Sequence, residues 1–90
     1  MDEAGKLENK AFQYLFDKNI DQALATCEEC EKTYPSYHSV YDLKNMLKKE
    51  REGLLDKNSG KWKEIYLKIL NNYSWRLSTD IMDKLRLNSK

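Results

Sequence analysis

The scarcity of turn-forming residues is the feature that most restricts what this chain can fold into. The 90 residues contain one proline and three glycines, whereas a β-sandwich or barrel needs a turn signal about every 8–12 residues. Clusters of turn-forming residues occur at Lys18-Asn19, Tyr34-Pro35-Ser36 and Asn58-Ser59-Gly60. These three clusters separate four long segments, so the sequence predicts an all-α protein.

Length and composition fit a single helical domain over residues 1–90, because domains mostly run from about 50 to 250 residues. Hydrophobic residues make up 40% of the chain and aromatic residues 11%, which is too aromatic for a disordered segment. No apolar run reaches the roughly 20 residues that a membrane helix needs. The first residues also lack the basic flank and apolar stretch of a signal peptide. We therefore expect a cytoplasmic or nuclear protein without a membrane contact.

Apolar residues recur at helical spacing in every segment. This periodicity predicts helices over residues 3–17, 20–34, 36–55 and 61–73. Asn19 or Asp21 can cap the second helix and Ser36 the third, while Pro35 ends the second. The last segment is open to two interpretations: one continuous helix, or a break followed by a fifth helix over 79–87 capped by Ser78. The prediction is a small bundle of four helices, or of five if the break occurs.

Charge is distributed unevenly along the chain. Residues 1–45 carry nine acids against five lysines, a net charge of −4, and residues 46–90 carry eleven bases against six acids, a net charge of +5. Such asymmetry can mark a contact with nucleic acid or a membrane. It is equally typical of two halves that fold onto each other, which is the interpretation that a chain of this size favours.

Bulky and small residues alternate in the first two segments in a distinctive order. The positions are Leu7, Ala11 and Tyr14 in the first helix, then Ile20, Ala23, Cys27, Cys30 and Pro35. Residues 7–35 thereby resemble one tetratricopeptide repeat, a 34-residue helix–turn–helix unit. Lys10 departs from the repeat, which usually has leucine there, and the register is lost after Tyr41. The resemblance covers a third of the chain and implies an antiparallel hairpin from a family that binds peptides or helices in a groove.

Cys27 and Cys30 form a Cys-x-x-Cys motif. A structural zinc site needs four ligands, but these two cysteines and His38 make three, and the chain has no other cysteine or histidine. Reactive cysteine pairs lie at helix N-termini, whereas this pair falls in the middle of a predicted helix. We predict two small, buried core residues and no metal site.

No other motif indicates catalysis. The stretch from Gly53 to Gly60-Lys61 has six residues between its glycines, whereas a phosphate-binding loop has four. His38 has no companion set of residues that would form a catalytic triad. We therefore expect no catalytic residue, no cofactor and no enzymatic activity.

Basic residues of the second half provide an alternative function, a regulator that binds nucleic acid. The candidate phosphate contacts are Lys57, Lys61, Lys63, Lys68, Arg76, Lys84 and Arg86. The isoelectric point of about 7.7 is low for such a protein, and the lysines are spread around the helix. Both observations disfavour nucleic acid as the partner.

The fourth segment has the strongest apolar pattern. Seven of its residues fall inside one arc of about 140°, namely Trp62, Ile65, Tyr66, Ile69, Leu70, Tyr73 and Leu77. This arc can close the core. Leu67 and Trp75 project away from it, so Trp75 beside Arg76 is either an exposed interface anchor or, if the helix ends near Asn72, a core residue.

The sequence thus predicts a non-enzymatic interaction module or adaptor. Its partner would be another protein, a peptide or a second copy of the chain, bound through a helical surface. The candidate partner-binding residues are Trp62, Tyr66, Tyr73, Trp75 and Arg76.

Overall fold

Five helices make up the structure, a computed structural model that describes residues 3–74 and 77–90. They are α1 (Glu3–Phe16), α2 (Ile20–Thr33), α3 (Ser39–Leu54), α4 (Lys61–Tyr73) and α5 (Thr79–Asn88). The described residues contain no β-strand. The prediction of a small all-α bundle is confirmed, and the two-helix interpretation of the last segment is the correct one.

The turn between α1 and α2 reverses the chain within three residues. Lys18 adopts a left-handed conformation with φ of 58°, and the Asn19 N–H donates to the Tyr14 carbonyl oxygen at 2.9 Å. The Asn19 side chain then caps α2 by accepting from the Gln22 N–H at 3.2 Å. Because of this reversal, the end of α2 returns to the start of α1, where the Cys30 S–H donates to the Ala4 carbonyl oxygen at 3.7 Å.

The connection between α2 and α3 differs from the prediction. Tyr34 leaves helical geometry with ψ of 70°, and α3 begins at Ser39 rather than at Ser36. Ser36 therefore does not cap α3, and the residue at the cap position, His38, makes no side-chain capping bond. The segment is held instead by the Tyr41 hydroxyl, which donates to the Pro35 carbonyl oxygen at 2.6 Å.

The break before α5 is capped as the sequence suggested. Ser78 is extended, with ψ of 159°, and its hydroxyl oxygen accepts from the Ile81 N–H at 3.3 Å. Ile81 and Leu85 then form the buried face of α5. The last helix therefore has its own start signal and its own apolar stripe.

The core contains residues from all five helices. Its members are Ala4, Ala11, Phe12, Leu15, Ile20, Ala23, Leu24, Cys27, Cys30, Val40, Leu43, Leu47, Leu54, Trp62, Ile65, Tyr66, Ile69, Ile81 and Leu85. The predicted helix over 36–55 ends one residue earlier, at Leu54, and Leu55 beyond it is 52% exposed. Phe12 of α1 is buried beside Ala11 and Leu15.

Ion pairs join neighbouring helices at the surface. Arg51 of α3 pairs with Asp21 of α2 at 2.8 Å, a contact between the basic and acidic halves of the chain. Glu50 of α3 pairs with Lys61 and Lys68 of α4, at 3.4 Å each. These exposed contacts each contribute little to stability, but they align α3 with the helices on either side of it.

None of the helices in residues 3–74 and 77–90 combines the length and the apolar character needed to cross a lipid bilayer.

Candidate functional site

The predicted partner-binding residues have different positions in the structure. Trp62 and Tyr66 are core residues, each 1% exposed, and Tyr73 is half-buried. Trp75 and Arg76 lie outside the described residues. The apolar arc of α4 therefore closes the core, and no partner can touch Trp62 or Tyr66 while α4 stays docked.

Tyr66 is the residue that fixes α4 against α1. Its hydroxyl donates to the Leu15 carbonyl oxygen at 2.7 Å, and its ring centroid lies 5.9 Å from those of both Phe16 and Trp62. Burial raises the pKa of Tyr66 to about 12, with a smaller contribution from the charge of Asp17. The hydroxyl is thus neutral at physiological pH and has a structural task.

Trp62 begins the buried face of α4. Within the described residues, its Nε1–H group is buried without a hydrogen-bond acceptor. An unpaired buried donor of this kind costs about 1–3 kcal/mol. The burial of its large ring offsets that cost, so we assign the indole to packing.

Glu8 is a buried carboxylate that sequence reasoning missed. Its side chain is 8% exposed and accepts hydrogen bonds from the Tyr37 hydroxyl at 3.0 Å and the Ser39 hydroxyl at 3.3 Å. Both donors lie about 30 residues further along the chain, so no local pattern could reveal them. The carboxylate joins α1 to the α2–α3 connection and to the first residue of α3.

Neither Cys27 nor Cys30 forms a disulfide bond, and both are fully buried. Burial, the neighbouring Cys30 thiol and the Glu8 charge raise the pKa of Cys27 from its ordinary value of 9.0 to about 12. A thiol with so high a pKa has almost no nucleophilic thiolate at neutral pH. Among the described residues, no group of three or more His, Cys, Asp and Glu side chains is placed to hold a metal ion.

Several of the candidate phosphate-binding residues are already engaged within the chain. Lys61 and Lys68 share Glu50, and they hold the pKa of that carboxyl below its ordinary value, with the charge of Lys61 as the main cause. Arg86 pairs with Asp83 at 3.2 Å. Lys84 donates to the Gln13 side-chain oxygen at 3.3 Å and lies 5.5 Å above the Phe16 ring.

These internal contacts weaken the nucleic-acid hypothesis. A cation that is paired with a carboxylate attracts a phosphate less strongly, because the carboxylate partly neutralises its charge. Of the six of these residues that the structure describes, Lys57 and Lys63 are exposed and make no ion pair, side-chain hydrogen bond or cation–π contact with another described residue. Two such residues are few beside the six to ten phosphate contacts of a typical strong binder.

Among residues 3–74 and 77–90, three large apolar side chains are exposed: Leu55 at 52%, Leu67 at 43% and Leu87 at 69%. Leu67 lies in the middle of α4, and Lys63 and Asn71, four residues before and after it, are also exposed. Because side chains four apart share a helix face, these three residues form one stripe, which we call the outer face of α4. The sequence signal for it was the position of Leu67 outside the apolar arc.

Leu87 was not singled out by sequence reasoning. It lies opposite the buried residues Ile81 and Leu85 of α5, so the same periodicity that marks the core would have identified it.

No family model, no curated protein and no solved structure matches the chain. The residues described above are therefore the basis for assigning a function.

Proposed function

We propose that this chain is a non-enzymatic interaction module that binds a partner protein or peptide through a helical surface. The observation that carries the proposal is Leu67, a leucine 43% exposed in the middle of a packed helix. Since burying apolar surface is the main driving force of protein association, an aliphatic side chain exposed on a packed helix is suited to anchor a partner. Lys63 and Asn71 would supply the polar rim that surrounds such anchors.

We also propose that α1 and α2 form a tetratricopeptide-like hairpin. The small residues Ala11, Ala23, Cys27 and Cys30, at positions that match the repeat, are each 0% exposed. Small side chains at a helix crossing let the two backbones approach closely. The antiparallel contact between Cys30 and the Ala4 carbonyl supports the same geometry, in which the hairpin is the scaffold and the outer face of α4 the binding surface.

The proposal is tested by placing a photoreactive amino acid at position 67 and identifying the proteins that crosslink to it in cell extract. The same amino acid at Gln22, exposed on α2, is the matched control. We expect discrete adducts from position 67 and none in common with position 22. Identical patterns from both positions would show that the outer face of α4 has no special affinity.

Two substitutions then separate an apolar anchor from an electrostatic contact. Leu67→Glu should abolish capture without changing the melting temperature, because exposed positions usually alter stability by less than about 0.5 kcal/mol. Lys63→Glu should have a smaller effect. If capture instead depends on Lys63, survives Leu67→Glu and disappears after nuclease treatment, the chain binds nucleic acid and the proposal is wrong.

A further inference from the structure

The four connections between helices differ in how firmly they stop the preceding helix. The α1–α2 turn contains left-handed Lys18, with φ of 58°. The α2–α3 connection contains Pro35, and helices end at or before the residue that precedes a proline. The described part of the α4–α5 connection contains extended Ser78, with ψ of 159°. Each of these features prevents the flanking helices from merging.

The α3–α4 connection, residues 55–60, has no such stop. Leu55 has φ of −67° and ψ of −32°, and Gly60 has φ of −65° and ψ of −15°, values close to those of helices. Every residue between them has a negative φ. No residue of the connection therefore has to leave the left-handed region for α3 to continue directly into α4, as one helix over 39–73 about 52 Å long.

Local hydrogen bonds hold the observed turn against that alternative. The Asp56 side chain accepts from the Asn58 N–H at 2.9 Å, and the Asp56 carbonyl oxygen accepts from the Ser59 N–H at 3.0 Å. Asn and Ser are weaker helix formers than Ala, and Gly weaker still. Only a few weak local interactions thus favour the turn over the continuous helix in free energy.

Straightening the connection would carry α4 and α5 away from their own core. The buried face of α4 would then need an equivalent cover, and the surface that fits it is α1–α3 of another molecule of the same sequence. We propose that two copies of this chain exchange their α4–α5 segments and form a domain-swapped dimer. Each core keeps its contacts, including the hydrogen bond from Tyr66 to Leu15 and the ion pairs of Glu50, now made between chains.

Exposed Leu55 gives the exchanged dimer a contact that the monomer lacks. It lies in the hinge, 52% exposed. The two hinges of a domain-swapped dimer run side by side around the two-fold axis, where one Leu55 can pack against the other. This exchange is independent of the proposed function, because it uses the buried face of α4 rather than the outer face.

The test uses the full chain, refolded at about 1 mM and at about 10 µM, since mass action favours the dimer at the higher concentration. Size-exclusion chromatography with light scattering gives the mass. We expect a dimer from the concentrated sample that persists after dilution, because α4 must undock before the chains separate. Asn58→Ala should raise the dimerisation constant several-fold by favouring the helix, whereas the control Asn45→Ala, an exposed residue inside α3, should not.

Lys57→Pro is the opposing variant. Proline inside a helix removes a hydrogen bond and clashes with the preceding turn, so this variant should stay monomeric with an unchanged circular dichroism spectrum. Two results would overturn the proposal. One is a monomer at both concentrations for the original chain and for Asn58→Ala. The other is a dimer that forms equally well with Lys57→Pro, or that dissociates at once on dilution, as a surface contact would.

Discussion

Replacing Tyr66 with phenylalanine should have opposite effects on stability at neutral and at alkaline pH. At pH 7 the substitution removes the hydrogen bond from the Tyr66 hydroxyl to the Leu15 carbonyl oxygen and leaves the ring in place. That carbonyl also accepts from the Lys18 N–H at 3.0 Å, so it keeps a partner. The expected cost is therefore that of one hydrogen bond, about 1 kcal/mol.

The alkaline effect follows from the pKa of Tyr66, which burial raises from its ordinary value of 10.0 to about 12. Between these values the unfolded chain loses the phenolic proton while the folded chain keeps it. The unfolded state then binds fewer protons, so the free energy of unfolding falls as pH rises. Two pKa units correspond to about 2.7 kcal/mol, a loss that begins near pH 10 and is complete near pH 12.

The Tyr66→Phe variant does not lose this part of the free energy of unfolding at alkaline pH, because phenylalanine has no proton to release. The variant should be less stable than the original chain at pH 7 by about 1 kcal/mol and more stable than it above about pH 11. Urea unfolding followed by circular dichroism at a series of pH values gives both curves, and the difference between them cancels the titration of all other groups. A difference that keeps the same sign and size from pH 7 to pH 12 would refute the reasoning.

Three further substitutions or treatments test other parts of the structure. Lys18→Gly should stabilise the chain by roughly 1 kcal/mol, because glycine adopts the left-handed conformation at φ of 58° without strain; an unchanged or lower urea midpoint would contradict this. Cys27 and Cys30, both 0% exposed, should resist alkylation in the folded protein and react in urea, as mass spectrometry can show; rapid labelling without denaturant would mean that the thiols are accessible. Ala23→Leu should overpack the fully buried contact between α1 and α2 and lower the free energy of unfolding by about 1–3 kcal/mol. An unaltered melting curve would contradict a close crossing of the two helices.

The features predicted from the sequence are those set by local periodicity and local capping. The buried face of α4, with Trp62, Ile65, Tyr66 and Ile69, follows from apolar residues at helical spacing. The start of α5 follows from Ser78, whose hydroxyl needs only the amide of Ile81 three residues later. Such signals lie within one or two helical turns, so they do not depend on contacts with distant segments of the chain.

The features that were missed depend on contacts between distant segments. α3 begins at Ser39 and not at Ser36, where Ser39 and Tyr37 bond to Glu8 of α1. Phe12 and Phe16 give α1 a second apolar flank, and Phe16 reaches Tyr66 of α4 and Lys84 of α5. The second buried side of a helix such as α1 can be recognised only when the helices that pack against it are known.

The contact between Tyr66 and Leu15 spans 51 residues, and this separation has a consequence during protein synthesis. α1, α2 and α3 can pack as soon as residue 54 has left the ribosome, because their contacts are between neighbouring segments. α4 and α5 follow about 2–7 s later at the usual rates of translation. During that interval the flank of α1 that carries Phe16 has no cover from α4 and α5, so this part of the nascent chain is most open to chaperones, and to aggregation, just before those two helices arrive.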